Sequence, residues 1–451
     1  MSVVLVLWST GCQHSGRSAT TSRGAERTFA HQILDLEEEL GTVTPAMREL
    51  VDALEEEART RIKLPSSKPS REQVLGALQQ MHDILSSKGF MVAPTGYVEF
   101  LTEALTPVEL IGAELESLKS SDYTQGARRA WLTAQTNDDG VVVYLADCDT
   151  LSFLYLTMGD AIGLPLSLAE RRSQDGGVGH NWVQWRQDGQ HLSWETLDGA
   201  KKGSKGTPQS RAATRGYVRK LIANEWRIRG NEHKAAQHYA HSLEDFPDPT
   251  SFDHLAWILA TSPDPSIRDA HKARALAMSA LQEGCEYDRI GTLAAAHAAS
   301  GSFGNAVTLQ TIAIALAPED SPLSLAGLKY RLALYQRGIP FIRARHGREL
   351  DIRRCIWITD ELLKQGTIAA SAPENTRASC AELDDLHHQA SWREIEATVL
   401  QKEAIVLPAH GHPLPSSCTQ VVRRALVPAD MTTAASEATE VGADSPSVPP
   451  P

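Results

Sequence analysis

Two architectures are expected in this chain: a mixed α+β unit in the middle and an all-α helical array after it. Three stretches lead there. "HNWVQWRQDGQHLSWETLDG", from His180 to Gly199, alternates apolar and polar residues around Asp188-Gly189, the strongest short-range signal for a β-hairpin. "VVVYLADCDTLSFLYLTMGDAIGLP", from Val141 to Pro165, reads as a short apolar lead-in and then a helix. That helix begins near Cys148 and stops at Gly163-Leu164-Pro165. After residue 205 the order helix, Gly or Pro/Asp turn, Ala-rich helix recurs, the mark of an internal repeat.

Taken from the start, "MSVVLVLWSTGCQHSG" is a short apolar stretch closed by Gly11-Cys12. It resembles a bacterial lipoprotein signal, which implies cleavage before Cys12 and lipidation there. The chain is then expected on an extracytoplasmic membrane face, and otherwise in the cytoplasm. Residues 1–27 are this signal and a polar linker. Residues 28–120 read as a helical N-terminal region. Within it Thr44 is an N-cap ahead of Pro45 at the first helical position. Ser70 and Gln73 have capping-box spacing, and Gly89 fits a C-terminal stop.

The α+β core is expected over 121–207 and the helical repeats over 213–342. In the repeats Ala235, Ala273 and Ala306 follow the turns, where small residues let two helices cross closely. Residues 343–428 are uncertain and partly helical. Residues 429–451, with almost no bulky apolar side chains, read as a disordered tail.

Composition excludes several classes. With 451 residues the chain is too long for one ordinary domain, and 42% hydrophobic content supports real cores. A net charge of −12 argues against nucleic acid. The arginine-rich "RARHGRELDIRR" at 343–354 is broken by acids and reads as a solvated helix face. The six cysteines are scattered with no Cys-x-x-Cys spacing, so neither a disulfide framework nor a zinc site is expected. No cofactor or metal is implied. No apolar run reaches the roughly 18 residues of a membrane span, so membrane contact would come only through Cys12.

Cys148 stands between two aspartates at the mouth of its helix. A helix N-terminus stabilises a thiolate through its N–H groups and dipole, whereas flanking carboxylates oppose it unless they serve as caps. A base is needed, and the hairpin offers one. With a two-residue turn Gln187 pairs with Gln190, Trp182 faces Glu195 and His180 faces Leu197. His180, Trp182 and Glu195 then project to one side, with His180 and Glu195 as diagonal neighbours. Asp198 falls on the other face. Trp182, Trp185 and Trp194 read as core, and His191 as exposed.

These motifs, with "GLPLSL", "HNWVQW" and "LSWETLDG" in order, resemble the transglutaminase-like (papain-like) α+β cysteine fold, in its bacterial branch, over roughly 70–205. The resemblance implies Cys148 as nucleophile, His180 as base and Glu195 as the acid that orients it. Trp182 and Gln184 stand where that branch usually has Phe and Arg, and Glu195 where it often has Asp. The helical array resembles tetratricopeptide repeats, which implies a surface for docking a protein or peptide. Two functions stay open: an enzyme acting on peptide or amide bonds through a thioester, by hydrolysis or acyl transfer, or a non-catalytic interaction scaffold.

Overall fold

The computed structural model describes residues 27–64, 68–94, 98–137, 140–171, 180–201, 206–282, 284–318, 322–343 and Cys418. The expected signal with Cys12, nearly all of 344–428 and the tail over 429–451 lie outside the described residues. What is described is mixed α and β, and mostly helical.

The described residues open with α1 (Phe29–Glu37), α2 (Pro45–Arg61) and α3 (Arg71–Ser87). Thr44 caps α2, with Pro45 at its first position. At the start of α3 the Ser70 N–H donates to Gln73 Oε1 at 2.7 Å, and the Gln73 N–H donates back to Ser70 Oγ at 3.3 Å. Gly89, at φ 85°, follows the helix end.

The helical region expected over 28–120 also holds two short strands. β1 (Phe90–Val92) and β2 (Pro107–Leu110) lie inside it, separated by the short α4 (Leu101–Ala104). Both pair with β3 (Val141–Ala146), β1 in parallel and β2 antiparallel, with α5 (Gly112–Ser120) and α6 (Gly126–Gln135) between. Three-residue strands such as Phe90–Val92 carry no readable period; pairing with a distant strand makes them strands.

α7 (Cys148–Ile162) follows at once. Asp147 caps it, accepting from the N–H groups of Asp149 and Thr150 at 3.0 Å each. Left-handed Gly163 (φ 72°) closes it, as the sequence predicts. Leu151, Phe153, Leu154, Tyr155, Leu156 and Met158 are all buried, so apolar neighbours surround α7. A second sheet covers it: β4 (Leu166–Arg171), β5 (His180–Gln187), β6 (Gln190–Glu195), β7 (Ala200–Lys201) and β8 (Thr207–Pro208), in the order β7-β6-β5-β4-β8.

The hairpin register is the expected one, from Gln187 against Gln190 to Val183 against Trp194. Its turn has positive φ at both Asp188 (50°) and Gly189 (76°), the geometry that matches strand twist. Trp182, Trp185 and Trp194 are buried and His191 is exposed. One apolar core joins Phe29, Leu54 and Leu85 of the N-terminal helices to Phe153 and Trp185.

Among the described residues seven helices follow: α8 (Arg211–Ile228), α9 (Glu232–Asp245), α10 (Pro249–Thr261), α11 (Ala270–Ala280), α12 (Tyr287–Ala299), α13 (Phe303–Leu316) and α14 (Pro322–Gln336). They pack as neighbouring pairs, α8 on α9, α10 on α11 and α12 on α13, around a second core. Ala235, Ala273 and Ala306 are fully buried there. Helix α8 belongs to both cores: Val218, Leu221 and Ile222 face the first, Ala223 the second, and Trp226 packs on both. The Arg229 guanidinium also donates to the carbonyl of Leu40 at 3.0 Å.

No disulfide framework is expected from the spacing, yet one bond forms. Cys285, ahead of α12, is bonded to Cys418, with Cα atoms 5.5 Å apart across a separation of 133 residues. Scattered spacing says nothing about a pair that only folding brings together.

Candidate active site

Cys148 is the first residue of α7, half-buried. Its thiol donates to Asp149 Oδ1 at 3.4 Å, and the backbone N–H of Asn181 lies near enough for its dipole to favour the thiolate. Burial first, then the charges of Asp149 and Asp147, push the thiol well above the usual cysteine range, and the Asn181 N–H works against them. Burial, and next the Asp149 charge, raise the Asp147 carboxyl to about 6, against the two N–H groups and the Thr150 hydroxyl that it caps.

His180 opens β5, next to the residue whose N–H meets the thiol. Its Nε2 lies 2.7 Å from Oε1 of Glu195, at the end of β6. Glu195 is buried, the imidazole is partly exposed, and the Trp182 ring lies 5.8 Å away, centroid to centroid. The structure thus brings His180 and Glu195 together, as the strand register predicts. It puts Cys148 against Asn181, one residue from that pair, and among the described residues no hydrogen bond joins the thiol to the imidazole.

Several supporting residues were not foreseen. The Asp149 carboxylate, buried, accepts from Asn181 Nδ2 and from the hydroxyl of Tyr217 on α8. Ser152 Oγ donates to the Cys148 carbonyl at 2.6 Å, and Thr196 Oγ1 does so at 3.4 Å. Fully buried Arg128 donates to the carbonyls of Thr196 and Leu197, which pins the turn just after Glu195. Asn181 is signalled by standing next to His180. Tyr217 carries no such signal, because it lies beyond the expected core at 207.

Chemically, the arrangement has a thiol at a helix N-terminus and a base held by a buried carboxylate, two parts of a nucleophile–base–orienter set. A separate group, His31, Asp52 and Glu55, has potential ligand atoms within 4.8 Å of one another. There Arg59 already pairs with Glu55 at 2.6 Å and the Thr28 hydroxyl donates to it, so the carboxylate's charge is answered by protein. Comparison with known proteins finds no matching family model, no matching curated protein and no matching solved structure.

Proposed function

We propose that this chain is a thiol enzyme of the transglutaminase-like type that acts on a peptide or side-chain amide. The observation that carries this reading is the 2.7 Å contact between His180 Nε2 and Glu195 Oε1, one residue from the N–H that meets the Cys148 thiol. Cys148 Sγ attacks the amide carbonyl carbon as its proton passes to His180. His180 returns that proton to the departing amine, the C–N bond breaks and a thioester remains. Water then releases the acid, or a second amine takes the acyl group. Glu195 orients the imidazole and stabilises it while it carries the proton.

The helical array, with its recurring buried alanines, is the docking part, of tetratricopeptide type, for a protein or peptide. An extracytoplasmic site of action, with Cys12 as lipid anchor, is supported by the Cys285–Cys418 bond, since disulfides persist in oxidising compartments.

Iodoacetamide near neutral pH tests the enzyme reading. Cys148 is expected to label in the native chain although its thiol is held protonated, and His180→Ala is expected to slow that labelling. A Cys148 rate that His180→Ala leaves unchanged sinks it. A second reading, a non-catalytic scaffold, is favoured by the thiol's hydrogen bond to Asp149 and by the carboxylates that keep it protonated. Under that reading Cys148→Ala retains every partner and the full phenotype.

A further inference from the structure

The thiol's hydrogen-bond acceptor is a carboxylate that other parts of the fold also hold. Asp149 Oδ1 takes the Cys148 thiol at 3.4 Å and Asn181 Nδ2, while its Oδ2 takes the hydroxyl of Tyr217. Three elements thus meet on one buried carboxylate: the start of α7, the start of β5 and the middle of α8. The last of these also runs into the core of the helical array. The charged groups around it are Asp147 on its own helix, Glu99 ahead of α4, and Lys220, whose ammonium lies 4.9 Å over the Tyr217 ring.

A carboxylate that accepts a thiol proton holds that thiol in its unreactive form, and each further donor on the same carboxylate weakens the hold by drawing off negative charge. We propose that Asp149 is a positioning residue that restrains the Cys148 thiol, and that Tyr217 of α8 sets the strength of that restraint. This rests on Cys148 being the reactive group of the enzyme reading, and it supplies a physical link from the first helix of the array to the thiol.

The two residues act in opposite directions, which separates this role from simple loosening of the site. With the full-length chain, the rate of Cys148 alkylation by iodoacetamide is followed from pH 6 to 9 by mass spectrometry of the labelled peptide. Asp149→Asn removes the charge and is expected to speed alkylation about tenfold at pH 7, the change that one unit of thiol pKa produces. Tyr217→Phe keeps the ring but removes the donor, and is expected to slow alkylation about threefold, a change of about half a unit.

Loosening would speed both. A Tyr217→Phe variant that labels at the wild-type rate or faster overturns the proposal, as does an Asp149→Asn variant that labels more slowly. Should Asp149→Asn fail to fold by circular dichroism, Tyr217→Phe decides alone. The His180→Ala chain, run in the same assay, keeps the two ideas apart. Unchanged labelling there removes the enzyme reading, while opposite shifts in the other two variants still establish the restraint.

Discussion

His180 and Glu195, 15 residues apart in the chain, meet at 2.7 Å because β5 and β6 are joined by a two-residue turn that puts both side chains on one face. The carboxylate is buried and the imidazole is partly exposed. A buried charge that answers a half-open ring is suited to hold that ring in one orientation.

Replacing Glu195 by Gln keeps the shape but removes the charge. Cys148 alkylation at neutral pH is expected to slow about tenfold, less than the roughly hundredfold or more that a whole general base contributes, because the imidazole itself remains. Glu195→Asp should recover part of it. Rates measured with iodoacetamide check this, and a Gln variant as fast as the wild type sinks it.

Buried Glu37 and partly buried His254 give stability opposite dependences on pH. Burial raises the Glu37 carboxyl from 4.5 to about 7, although it accepts the N–H groups of Leu101 and Thr102 at 2.9 and 2.8 Å. Its favourable contribution is complete below pH 4.5 and is lost as pH climbs through 7, because the folded state binds the proton more tightly. Burial lowers His254 from 6.5 to about 4, so its contribution is present above 6.5 and is lost as pH falls through 4. Urea unfolding from pH 4 to 8 should show Glu37→Gln removing the first slope only. A Gln variant with the wild-type slope contradicts this.

Leu154, fully buried on α7, belongs to the first apolar core. Leu154→Ala is expected to lose about 2–5 kcal/mol from the lost apolar burial and the cavity left behind. Chemical denaturation measures the loss, and a change below about 1 kcal/mol would contradict the central place given to this helix.

Cys285→Ser opens a loop of 133 residues. A loss of about 2–4 kcal/mol is expected from a less constrained unfolded chain. Dithiothreitol should lower the melting temperature of the wild type and leave the variant unmoved. Equal sensitivity of the two chains refutes the bond.

What could be read before folding is what neighbours along the chain decide. Thr44, Ser70 and Asp147 sit within three residues of the N–H groups they cap, and Asp188-Gly189 selects a turn through its own backbone preference. Once that turn is set, the side-chain alternation of a strand carries the register outward to His180 and Glu195. Contacts set by chain closure were hidden: Tyr217 on Asp149, 68 residues away, and Cys285 on Cys418. No local pattern encodes them, since each depends on how whole helices pack. The strands Phe90–Val92 and Pro107–Leu110 were missed for the same reason, as their state comes from the partner strand at Val141–Ala146. The linear chain therefore specified the meeting of imidazole and carboxylate, through short-range backbone geometry. Packing of a distant helix gave the thiol's acceptor, Asp149, its second donor in Tyr217, because a buried carboxylate bonds whatever donors the folded core brings to it.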